Sequence, residues 1–164
     1  MALFLGNYAN KIDRKGRVSV PAQFRSALAG QVFNGIVAFP SFKESMIEAF
    51  SLDHMQQIAE SIQSYDQFSE DRDDLATLFA DALQIPFDGE GRIVLPQSFA
   101  AHAGITETAL FVSAVDHFQI WEPEAYARKK SAARERLASR NATVKVLPRG
   151  GNGAGGGPSP LGDR

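Results

Sequence analysis

The sequence contains no cysteine. That removes disulfides, thiolate zinc sites and thiol nucleophiles from the chemistry open to it. Histidine is scarce, and its three copies, His54, His102 and His117, are scattered without the spacing a metal site needs. Ser19 and Ser98 have no base nearby, and the acids of residues 66–74 crowd into one run that reads as a solvated face rather than a matched acid–base pair. Neither an enzyme, nor a metal, nor a cofactor, nor a small-molecule ligand is expected. No apolar run approaches the ~20 residues of a membrane span. The first residues, Met1 to Gly6, lack the basic flank of a signal peptide. A soluble intracellular protein without membrane contact is the expectation.

What is present is an apolar fraction of 44%, enough for a proper core in 164 residues. The net charge of -2 hides a strong segregation of sign. Residues 1–30 carry Lys11, Arg14, Lys15, Arg17 and Arg25 against Asp13 alone. Residues 43–81 carry Lys43 and Arg72 against ten acids, among them Glu70, Asp71, Asp73 and Asp74. Basic residues return from 124 to 149, with Arg128, Lys129, Lys130, Arg134, Arg136 and Arg140. Those in the C-terminal helix do not share one face, which favours a solvated surface over a phosphate-binding one.

The chain repeats itself. Ile12-Asp13-Arg14-Lys15-Gly16-Arg17-Val18-Ser19-Val20-Pro21 aligns without a gap on Phe87-Asp88-Gly89-Glu90-Gly91-Arg92-Ile93-Val94-Leu95-Pro96, and Phe24 falls opposite Phe99. In each copy an alternating segment meets a polar turn, which Asp opens and Gly closes, and a β-rich run follows. Pro21 and Pro96 then stop the strand and introduce short helices over 22–29 and 97–103, ended near Gly30 and Gly104. Further strands are predicted over 32–39, 45–50, 109–115 and 117–121, with helices over 52–65, 72–79 and 123–137. Two related halves result, 1–75 and 76–145. A tail over 146–164, rich in Gly and Pro beyond Leu147, has no apolar payload to fold it and reads as disordered.

The doubled Asp-x-x-Gly-Arg hairpin, followed by a strand and Pro, resembles the MraZ family. Leu5-Gly6, Phe24-Arg25 and Phe118-Gln119-Ile120-Trp121 strengthen the match, which covers the chain to about residue 145. The resemblance implies an α+β fold of two tandem AbrB-like swapped-hairpin half-repeats, mainly β in the core and pseudo-twofold. It also implies a ring-shaped homo-oligomer that binds direct repeats in promoter DNA and represses its own division and cell-wall operon. A cytoplasmic, nucleoid-associated protein would follow. The family's DNA-contacting element carries over to Asp13 and Arg17, and to Asp88 and Arg92.

The residues themselves rank the two copies. Lys11, Arg14, Lys15 and Arg17 share one turn, where phosphate contact and base readout can be combined. Asp13 either pairs with Arg17 or simply shapes the turn. Gly89 and Glu90 replace Arg14 and Lys15 in the second copy, leaving Arg92 as its one cation. The first hairpin is therefore expected to bind DNA and the second mainly to hold the fold and subunit contacts. Phe33, Ile36, Val37, Phe39, Phe111, Val112 and Trp121 either form the interface between subunits or fill the core of one chain. If the hairpins do not touch DNA, the same sequence describes an oligomeric interaction scaffold or an antitoxin-like protein.

Overall fold

β-Branched and aromatic residues dominate Gly35-Ile36-Val37-Ala38-Phe39-Pro40 and Thr108-Ala109-Leu110-Phe111-Val112-Ser113. Both segments form strands covered on both faces, as near-continuous apolar runs must be. The computed structural model describes residues 2–148, so residues 149–164 of the expected tail lie outside the described residues. In chain order the elements are β1 (Asn7–Lys11), β2 (Arg17–Ser19), α1 (Ala22–Ala27), β3 (Gly35–Pro40), β4 (Ile47–Phe50), α2 (Leu52–Gln63) and α3 (Glu70–Asp81). There follow β5 (Leu83–Pro86), β6 (Arg92–Val94), α4 (Gln97–Ala103), β7 (Thr108–Ser113), β8 (Phe118–Trp121) and α5 (Pro123–Ser139). The chain is α+β.

Local chemistry sets the helix ends. Pro21 and Pro96 sit extended at the starts of α1 and α4, their fixed φ leading into the first turn. Ser51 and Ser69 cap α2 and α3 by accepting the amides of His54 and Arg72. Glu70, Asp71 and Asp73 in the first turn of α3 complement its dipole. Gly104 closes α4 in the left-handed region at φ 68°.

Six strands form an antiparallel sheet in the order β1-β7-β8-β4-β3-β5, while β2 and β6 pair antiparallel in a separate ribbon. The order places like strands of the two sequence copies symmetrically about the central β4–β8 pair. It also exchanges partners between them: β1 pairs with β7, and β5 with β3.

One face of the sheet carries the principal core. Ile36, Ala38, Ile47, Phe111, Phe118 and Ile120 point from the sheet towards Val18, Val20, Ile93 and Leu95 of the ribbon strands and their extensions, with Phe24 and Phe99 of the short helices. Phe24 stacks at a tilt on Phe118, with 5.1 Å between ring centroids. Each such fully buried aromatic contributes about 1.5–3 kcal/mol. The other face is shared between two helical layers. Val37, Phe39 and Phe50 lie with Met55 beneath α2 and α3, whereas Leu110, Val112 and Trp121 lie with Met46 beneath α5.

These contacts decide between the two roles left open for the apolar strand residues. Ile36, Val37, Phe39, Phe111, Val112 and Trp121 are buried within the chain, and Phe33 is half-buried. The six buried residues are core residues, while Phe33 lies in no core cluster. The physical reason is that the sheet is covered on both faces, so the apolar side chains of its central strands are kept from solvent.

Candidate nucleic-acid interface

Both Asp-x-x-Gly-Arg turns fold in the same way. Asp13 Oδ1 accepts the amides of Lys15 (2.9 Å) and Arg17 (2.8 Å), and its other oxygen accepts Arg17 Nε at 2.6 Å. Asp88 repeats the pattern with Glu90 N (2.9 Å), Arg92 N (2.9 Å) and Arg92 Nε (2.8 Å). The amides of Gly16 and Gly91 bond back to the carbonyls of Asp13 and Asp88. Gly16 and Gly91 adopt φ of 80° and 75°, which an L side chain resists. Asp13 thus does both things the sequence left open: it shapes the turn and fixes the arginine.

The electrostatics follow from these bonds. The Arg17 amide, then the Arg17 guanidinium and the Lys15 amide, hold the Asp13 carboxyl below the ordinary carboxylate range. The Arg92 amide does the same for Asp88. Hydrogen bonding to Asp88 pushes Arg92 further up, with smaller help from the charges of Glu90 and Asp13.

The ribbon brings the two turns onto one surface. Arg17 lies opposite Val94, Val18 opposite Ile93, and Ser19 opposite Arg92. Strand alternation sends Val18 and Ile93 into the core and leaves Arg17, Ser19, Arg92 and Val94 on the outer face. Both arginines therefore stand on the same side of one short ribbon, each tethered through Nε by its aspartate. A tethered guanidinium keeps its terminal nitrogens for a further partner. Those of Arg17 bond to no described residue, whereas Arg92 Nη2 lies 3.6 Å from Glu90. Lys11, Arg14 and Lys15 are exposed around the first turn.

Arg25, which the sequence placed in a basic run and in the family resemblance but not among the site residues, also reaches this surface. Its Nε donates to the Val20 carbonyl at 3.1 Å, and its guanidinium lies against Gly91, where an added Cβ would meet Cζ at 2.5 Å. The second turn, which lacks counterparts of Arg14 and Lys15, thus receives a cation from the first half of the chain. The repeat holds no signal for this, since Ala100 stands at the equivalent position.

The C-terminal cations are not brought to this surface. α5 covers the face of the sheet opposite the ribbon, and Lys129 there pairs with Glu44 and lies 5.1 Å from the Trp121 ring. On that same face a chain of polar side chains crosses the central strands. Trp121 Nε1 donates to Gln119 Oε1 (2.9 Å), Gln119 Nε2 to Glu48 (3.0 Å), and His117 bridges Glu48 (2.7 Å) and Asp116 (2.9 Å). Among the described residues no helix is long and apolar enough to cross a membrane.

Comparison with known proteins agrees with the doubled turn. The family model described as "MraZ protein, putative antitoxin-like" matches residues 3–76 and again 78–146. A protein of Rickettsia rickettsii named Transcriptional regulator MraZ is 44% identical over 148 residues, covering 87% of this chain and 99% of its own. Namesakes from Rickettsia africae and Rickettsia bellii are each 43% identical over 148 residues, covering 87% and 86% of this chain and 99% of their own lengths. The chain belongs to the MraZ family.

Proposed function

We propose that this protein is a sequence-specific DNA-binding transcriptional regulator that represses its own division and cell-wall operon from direct repeats in the promoter. The carrying observation is the outer face of the β2–β6 ribbon, where two aspartate-tethered, half-exposed arginines stand diagonally across the strand pair. A two-stranded ribbon fits the major groove, and an arginine held in one orientation suits bidentate contact with guanine O6 and N7. Lys11, Arg14 and Lys15 supply phosphate contacts around the first turn, with Arg17 as principal base reader. Arg92 and Asp88 form the weaker second contact, since Glu90 competes for the guanidinium.

The reading includes two AbrB-like swapped-hairpin half-repeats, 1–75 and 76–145, and the exchange of β1 and β5 between them supports it. It also includes a ring of several chains acting in the cytoplasm at the nucleoid. One ribbon makes few contacts, and non-specific affinity is only about 10⁻⁴–10⁻⁶ M at physiological salt. Several ribbons on successive DNA repeats raise the effective concentration and hence the avidity. No catalytic step is assigned.

The test is a fluorescence titration on duplex from the protein's own upstream region, beside a scrambled duplex, at several salt concentrations. Wild type is expected to prefer the native duplex with a steep salt slope, and Arg17→Ala to lose that preference. Binding of neither duplex at low salt overturns the reading in favour of an interaction scaffold, and equal binding of both overturns its sequence specificity.

A further inference from the structure

The outer face of the ribbon is symmetric in its arginines and asymmetric beside them. About the Val18–Ile93 pair, Arg17 and Arg92 are equivalent, and so are Ser19 and Val94. Ser19 is exposed and carries a hydroxyl; Val94 is 56% exposed and carries two methyl groups. The valines and isoleucine of the ribbon that face inward are about 1% exposed, so Val94 stands alone as an apolar side chain among tethered charges. It lies beside the first turn: a Cβ on Gly16 would sit 3.8 Å from Val94 Cγ1. It is also the direct cross-strand neighbour of Arg17. Such neighbours have Cβ atoms about 4.5–5.5 Å apart, against a rise of about 3.4 Å per base pair along DNA. Arg17 and Val94 are thus close enough to meet neighbouring base pairs when the ribbon enters the groove.

Among the base edges in the major groove, the thymine C5-methyl is the apolar group. We infer that Val94 is a specificity-determining residue that reads a thymine methyl next to the base contacted by Arg17. This inference rests on the DNA-binding reading above. Ser19, whose hydroxyl both donates and accepts, tolerates several bases beside Arg92. The pseudo-twofold face thereby acquires a direction. A site read by it has unlike halves, which suits direct repeats and not a palindrome.

The experiment replaces each thymine of the native upstream duplex in turn by deoxyuridine, which removes only the C5-methyl. Wild type is expected to lose about fourfold in affinity at one thymine per repeat, the equivalent of one buried methyl. Val94→Ser is expected to bind the thymine and deoxyuridine duplexes alike while still preferring native to scrambled DNA. A wild type indifferent to every deoxyuridine overturns the inference without any variant. So does a Val94→Ser protein that keeps the same deoxyuridine penalty. Wild type that fails to distinguish native from scrambled duplex overturns the sequence-specific DNA-binding reading itself, an outcome separable from the other two.

Discussion

Asp13 and Asp88 each satisfy two backbone amides and one guanidinium with a single carboxylate. Asp13→Ala is expected to weaken specific DNA binding nearly as much as Arg17→Ala, although it removes a negative charge, because Arg17 loses its orientation. Asp13→Asn, which keeps one acceptor, is expected to fall between. The same titration checks both. Gly91→Ala meets two obstacles, the positive φ and the Arg25 guanidinium, and lowers the melting temperature more than Gly89→Ala, where nothing lies within 4 Å.

His117 gives a pH prediction. Burial opposes its charge, but the hydrogen bonds it donates to Glu48 and Asp116, with their charges, outweigh burial and raise its pKa above 6.5. His54 faces the same Asp116, its Nε2 3.7 Å from Oδ2. A folded pKa above the unfolded value means that the stabilisation is complete below about pH 6.5 and is lost as pH rises through the raised value. The melting-temperature difference between wild type and His117→Gln should therefore be largest in mild acid and shrink with rising pH. A constant difference would assign the role of His117 to its stacking on Phe50, whose ring centroid is 4.2 Å away.

Among the elements, what the sequence made legible and what it concealed separate cleanly. Periodicity and punctuation located the strands and helices to within a few residues. The third helix starts at Glu70 instead of 72 because Ser69 caps it and three acids favour its first turn. The turns were legible because every contact that shapes them is local. The position of Arg25 on Gly91, the Glu48–His117 bridge and the side of the sheet taken by α5 were not, since each joins residues from different halves. α5 has no fully buried residue and packs through the partly buried Ala125 and Tyr126, so its N-terminal cap matters. Glu122 accepts two amides there, and Glu122→Ala should lower stability by about 0.5–2 kcal/mol. Denaturant melts of the two proteins would measure it.

At the scale of the whole molecule, neither sequence half has a complete sheet without the other. β3 needs β5, β7 needs β1, and the principal core takes side chains from both halves. Chains cut to residues 1–75 or 76–148 should show no cooperative unfolding alone, and mixing them should restore it. Circular dichroism melts of each fragment and of the mixture test this. The same exchange of strands has a consequence during synthesis. Asn7 leaves the ribosome early, yet its partner Val112 must still be translated. At roughly 5–20 residues per second this is a delay on the order of ten seconds, far longer than the microseconds in which a local hairpin closes. For that interval β1 is an unpaired edge beside an unfinished core. The nascent chain therefore exposes an unpaired strand of the kind holding chaperones cover until β7 emerges, and a ribosome stalled between the halves leaves a fragment that cannot pair its own strands.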